Sequence, residues 1–152
     1  MKVQDFLADK RIPFQTHEHL PAFTAQEVAA EEHVSGYNVA KTVVVAAGQR
    51  HILCVLAAAH KLDMEKVALA TGADHVRLAD ETEMARLFPD TEVGAEPPFG
   101  NLYQLPTYVD ERLAEAPEIV FPAGSHRQTI RMSFADYEEL VQPVVADLAV
   151  RL

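Results

Sequence analysis

The chain has 152 residues, 49% of them hydrophobic and 24% charged, which suits one folded domain with its own core and excludes a disordered chain. The net charge of −10, from 23 acidic and 13 basic side chains, argues against a protein that grips a long stretch of nucleic acid, which needs a basic footprint; engagement of a strand end stays open. A single cysteine, Cys54, excludes an intramolecular disulfide and a thiolate zinc cage, and no apolar run approaches the ~20 residues that span a bilayer.

The N-terminus, Met1-Lys2-Val3-Gln4-Asp5, lacks the basic and apolar regions of a signal peptide, so a cytoplasmic location without membrane association is expected. Val3–Ala8 predicts a short amphipathic helix, with Pro13 marking its end, and Phe14–His19 alternates as a strand would. Thr24-Ala25-Gln26-Glu27 is a capping-box pattern that opens a helix to about Glu32. Val39–Ala47 and His51–Ala58 are apolar, β-branched runs around Gly48-Gln49 and predict a central hairpin. Cys54, inside the second run, reads as a small core residue.

Asp63 caps a predicted helix that runs to about Thr71 and stops at Gly72. A short strand is expected at His75–Ala79, and Asp80-Glu81-Thr82-Glu83 starts another helix, which Pro89 ends. Gly94–Gly100 is a loop, followed by strands at Thr107–Asp110, Glu118–Phe121 and Gln128–Met132. Ser133 caps a final helix with Phe134, Tyr137, Leu140 and Val141 at helical spacing. Helices and strands interleave without a βαβ repeat. The expected fold is therefore a single α+β domain over residues 1–152, with a mixed, mostly antiparallel, barrel-like sheet surrounded by helices.

Four places could carry chemistry. Lys41 stands at the head of the most apolar strand; it is either a strand-end lysine reaching water or a cation held at a cleft for phosphate or carbonyl oxygen. Gly94-Ala95-Glu96-Pro97-Pro98-Phe99-Gly100 is stiffened by two prolines and could present backbone N–H groups to an oxyanion, although a tight connection has the same composition. Ser125 beside His126 suggests a nucleophile and its base, but adjacent side chains diverge in a strand and no Gly-x-Ser-x-Gly elbow is present. His17 and His19 share a strand face, as a metal pair would need, yet no acidic or His partner has a matching spacing; His51, His60 and His75 are scattered and read as surface histidines.

Taken together, the segments resemble the YbaK and prolyl-tRNA-synthetase-associated domain family over nearly the whole chain. The opening helix before Ile12-Pro13-Phe14, then His19 and the Thr24–Glu32 helix, are followed by the lysine segment Val39-Ala40-Lys41-Thr42-Val43-Val44-Val45. Leu87–Gly100 resembles the family's most specific motif, and Tyr108-Val109-Asp110, Ala123-Gly124-Ser125 and the last helix follow in order. The resemblance implies a trans-acting deacylase that hydrolyses the ester of a mischarged tRNA, for a small amino acid, with proline tRNA as one carrier. Lys41 would be the essential cation and Gly94 its catalytic partner, with the Gly94 loop meeting the substrate through backbone groups. Phe14, Phe23, Thr42, Pro97, Gly124 and Ser125 are the expected substrate-binding residues. No metal, cofactor or covalent enzyme intermediate is implied. The implied partners are the acceptor end of aminoacyl-tRNA and an aminoacyl-tRNA synthetase. Lys41 is followed by Thr42 where some alanine-directed members carry asparagine, which argues against a simple assignment to alanine on proline tRNA. A non-catalytic module of the same fold, binding aminoacyl-tRNA or a nucleotide, is the alternative; a metal hydrolase would require His17, His19 and an acidic partner to converge.

Overall fold

Local chemistry sets where the helices begin. In the computed structural model, which describes residues 2–32 and 34–151, Asp63 accepts hydrogen bonds from the backbone N–H groups of Glu65 and Lys66, Asp80 and Glu83 form a reciprocal capping box, and Ser133 accepts from Asp136 N. The Thr24 hydroxyl accepts from Glu27 N at 3.0 Å, but the Glu27 carboxylate reaches back to Phe23 N at 3.2 Å, one residue earlier than a standard box.

The elements in chain order are α1 (Val3–Asp9), β1 (Gln15–Glu18), α2 (Ala25–Glu32), β2 (Ala40–Ala47), β3 (Arg50–Ala57), β4 (His60–Leu62), α3 (Met64–Thr71), β5 (Val76–Leu78) and α4 (Glu81–Leu87). They continue with β6 (Thr107–Asp110), β7 (Glu118–Pro122), β8 (Gln128–Ser133), α5 (Phe134–Val141), β9 (Val144–Ala146) and β10 (Ala149–Arg151). Short 3-10 turns lie at Gly100–Leu102 and Leu113–Glu115. Strands β4, β9 and β10 and both turns lie outside the sequence-based expectation.

The α+β class and the mixed pairing are as expected, but the strands form three sheets and no closed barrel among the described residues. The largest has the order β5-β2-β3-β6-β9, antiparallel through the β2–β3 hairpin and parallel from β3 to β6 and β6 to β9. The second, β1-β8-β7, and the third, β10-β4, are antiparallel. Closure would need β7 to run along β2. Instead the two meet at one parallel bridge, Val39 to Val120, before the strands diverge.

Strand β3 is buried on both faces, which explains its unbroken apolar run. Ile52 and Cys54 pack with Val67 of α3, whereas Val55 and Ala57 join the main core under α1 and α5. That core also holds Phe99, Phe121 and Tyr137, whose rings meet at 5.2 to 5.5 Å around Phe99. The Tyr137 hydroxyl donates to the Pro98 carbonyl at 2.6 Å. The Gly94–Gly100 loop is thus fastened into the core by its own C-terminal half. Gly100 is required there: a Cβ would overlap the Thr107 hydroxyl and the Leu105 carbonyl oxygen.

Candidate functional site

Four elements bring the least ordinary residues together. Helix α2 is seated by Ala22, Val28 and Ala29 on Val39, Ala58 and Val120, so its N-terminus stands over the start of β2. The resulting cleft, with a free volume of about 40 Å³, is lined by Phe23 and Val28, by Lys41 and Thr42 of β2, by Gly94 and Glu96, and by Pro122 at the end of β7.

Lys41 is half-buried. Its Nζ makes one long contact, 3.5 Å to the Ala58 carbonyl oxygen. Burial lowers its pKa from the ordinary lysine value. No carboxylate lies within ion-pairing distance among the described residues, whose ion pairs all involve other cations. The neighbouring Thr42 hydroxyl is buried without a hydrogen-bond partner among the described residues.

Gly94 has φ +91°, which favours glycine, and a Cβ there would sit 3.4 Å from the His126 ring. Its N–H donates to Glu96 Oε2 at 2.8 Å. Ala95 N–H donates to the Glu92 carbonyl, Phe99 N–H to the Pro97 carbonyl and Gly100 N–H to the Thr107 hydroxyl. Four of the five N–H groups that the loop offers for an oxyanion, those of Gly94, Ala95, Phe99 and Gly100, are therefore occupied.

Glu96 is the residue that sequence reasoning missed. It is only 2% exposed, and its Oε1 has no hydrogen-bond partner among the described residues. Burial raises its pKa, an effect opposed in part by the Gly94 N–H, by its own backbone N–H and by His126. Its signal in the sequence was a carboxylate between a glycine and two prolines, in a loop otherwise uncharged.

The Gly124 turn touches the same loop from the other side. Gly124 N–H donates to the Ala95 carbonyl at 3.0 Å, and Glu92 N–H donates to the Gly124 carbonyl at 2.8 Å. Pro97, Gly124 and Ser125 line a neighbouring cavity of about 220 Å³, together with Gln4, Thr91 and Tyr103. Phe14 is more distant still, half-buried against the main core and at the edge of a groove beside Arg131 and Ser133. The structure thus groups Lys41, Thr42, Phe23 and Gly94 in one cleft, places Pro97, Gly124 and Ser125 in the next, and leaves Phe14 apart from both.

Ser125 and His126 are occupied separately. The Ser125 hydroxyl accepts from Arg127 N, and His126 Nε2 lies 2.9 Å from the Val93 carbonyl. The His126 ring packs at a tilt against Phe23, centroids 4.7 Å apart, and Phe23 is 64% exposed at the rim of the cleft. His17 and His19 do not converge with acidic side chains: no group of three potential metal ligands exists among the described residues.

Comparison with known proteins adds to this geometry. A protein described as a proposed trans-editing enzyme for prolyl-tRNA synthetase superposes with a TM-score of 0.83 at 27% identity, over 97% of this chain and 94% of that one. A scaffold used for computational epitope grafting gives 0.86 at 28%, over 99% and 96%. A hypothetical protein at 23% identity gives 0.89 over 99% and 100%, a likeness of fold alone. The family model for the aminoacyl-tRNA editing domain matches residues 19–140, a stretch that takes in the Lys41 strand, the Gly94 loop and the Gly124 turn together. The chain belongs to the aminoacyl-tRNA editing domain family.

Proposed function

We propose that the protein is a trans-acting deacylase, which hydrolyses the ester between a small amino acid and the terminal adenosine of a mischarged tRNA. The observation that carries this is the Lys41 ammonium. It is half-buried at a cleft that Gly94 also lines, and its one hydrogen bond among the described residues is a long one to a carbonyl oxygen. A cation left in that state is available to a ligand's phosphate or carbonyl oxygen, and a partly desolvated site strengthens that interaction.

Two further features support the reading. The cleft is narrow, which fits a small acyl group better than a large one. Phe23, exposed and braced by His126, offers a flat apolar face at the rim, suited to the base of a terminal nucleoside. Contact with a strand end alone also makes the net charge of −10 tolerable, because few phosphates approach the body of the protein. Aminoacyl esters are activated, so orientation of water or of the substrate's free ribose hydroxyl, with stabilisation of the developing oxyanion, suffices. A cytoplasmic location, a synthetase as partner and proline tRNA as one carrier go with this function.

The test is a panel of tRNAs charged with alanine, serine, cysteine or their cognate amino acid, incubated with the protein while loss of each ester is followed. Hydrolysis of at least one mischarged species well above the uncatalysed rate is expected, with cognate esters spared. Binding of the tRNA end with no ester loss on any member would overturn the deacylase reading in favour of a non-catalytic module.

A further inference from the structure

We infer that Glu96 reads the α-ammonium group of the esterified amino acid, accepting it on its free carboxylate oxygen. The identity of the ligand rests on the deacylase reading above; the site itself rests on the following observations.

Glu96 is 2% exposed and lines the same cleft as Lys41. One oxygen, Oε2, accepts the Gly94 N–H at 2.8 Å, and the other, Oε1, is buried with no partner among the described residues. Buried polar atoms are nearly always hydrogen-bonded, and a buried carboxylate with an idle oxygen is costly. A structural pin for Gly94 needs one accepting atom, which a glutamine supplies without charge. The charge and the second oxygen are surplus to that task.

Lys41 and Glu96 share a cleft yet form no ion pair. Opposite charges held apart in one cleft suit a ligand that itself carries both signs. An aminoacyl ester is such a ligand: its α-ammonium lies beside an ester carbonyl and within a few bonds of a nucleotide phosphate. The carboxylate would meet the ammonium in a water-poor wall, where a charge-assisted hydrogen bond is strong. Burial raises the Glu96 pKa, and an arriving cation would draw it back toward the ionised form.

The experiment compares an aminoacyl-tRNA with the α-hydroxyacyl-tRNA obtained by deaminating it, which replaces the ammonium by a hydroxyl of similar size. The same pair is made as non-hydrolysable 3′-amides of adenosine for binding measurements. Wild-type protein is expected to prefer the ammonium-bearing ligand by about tenfold to a hundredfold, the range of one hydrogen bond to a charged group. Glu96→Gln, which keeps an acceptor for Gly94, should lose most of that preference, with the hydroxyacyl ligand little affected. A merely structural or general acid–base role predicts an equal loss on both members of the pair, and that result would overturn the inference. An unchanged preference in Glu96→Gln would also overturn it. Glu96-dependent discrimination in binding without ester hydrolysis would instead overturn the deacylase reading and leave this inference standing. Failure of the wild type to bind or cleave either member removes both.

Discussion

Replacing Lys41 by alanine separates a structural lysine from a functional one, because the two roles predict opposite outcomes. The side chain contributes little to the fold. Its Nζ bond to Ala58 is 3.5 Å long, at the limit of a hydrogen bond and worth at most about 0.5 kcal/mol. The lost bond and stem packing are opposed by relief of a partly desolvated charge, whose cost is seen in the lowered pKa. A stability change within about 1 kcal/mol is therefore expected. The chemistry should suffer far more. Removing one preorganised oxyanion donor costs about 2.7–4 kcal/mol, or roughly a hundredfold to a thousandfold in rate. Single-turnover deacylation of the best substrate measures this, with circular dichroism and thermal melting as folding controls. Lys41→Arg should recover only part of the rate, since a forked guanidinium is bulkier than a point charge. The wild-type rate, corrected for alkaline ester hydrolysis, should fall as pH rises through the lowered pKa, earlier than for an ordinary lysine. A folded Lys41→Ala protein that deacylates at the wild-type rate would refute this reasoning.

Cys54 is fully buried, and burial pushes its thiol up to about 12, so it is inert at neutral pH. Cys54→Ala should cost about 1 kcal/mol through a small cavity and leave deacylation intact; complete loss of turnover in a folded variant would point to covalent chemistry instead. Gly100→Ala forces a methyl group against the Thr107 hydroxyl and the Leu105 carbonyl oxygen, with an expected loss of about 1–3 kcal/mol or more. A urea midpoint equal to that of the wild type would show that the loop yields without cost. For Glu96 the folded pKa is raised, so the native state binds the proton more readily than the unfolded chain. Wild-type stability should therefore drop as pH rises from the ordinary carboxylate range through the raised value. Glu96→Gln, which does not titrate, should be relatively more stable at neutral pH; a wild-type advantage there would contradict the assignment of strain to this carboxyl.

Helix starts were the most legible features, because a cap is a contact between residues two or three apart: Asp63, Asp80 and Ser133 each bond within their own first turn. The β2–β3 hairpin was equally plain from two apolar runs and a glycine. Strands β4, β9 and β10 are three residues each, with no room for a period to show, and their pairing depends on partners as distant as Leu62 and Ala149. In the site, Lys41 stood out as a charge in an apolar strand. Glu96 did not, since an acidic residue in a Gly- and Pro-rich loop ordinarily faces water; only the anchoring of Phe99 and Pro98 in the core draws it inside. Phe14 and Phe23 are both aromatic residues near a helix end, and nothing local separates one packed on the core from one standing at the cleft.

The start of β2 is held from two directions. The Val39 carbonyl accepts from Ala58 N at 2.8 Å, the Asn38 carbonyl accepts from Val120 N at 3.0 Å, and Lys41 itself is paired with Leu56. Lys41 therefore hangs on a fixed anchor, and what moves is a four-carbon tether. A bound ester would meet its ammonium from a fixed point on the strand, so that capture would cost little beyond the side chain's own rotamer freedom, up to about 2 kcal/mol. On the proposed deacylase function, choice among esters would then fall to what surrounds the ammonium, with Thr42 beside it on the same fixed strand.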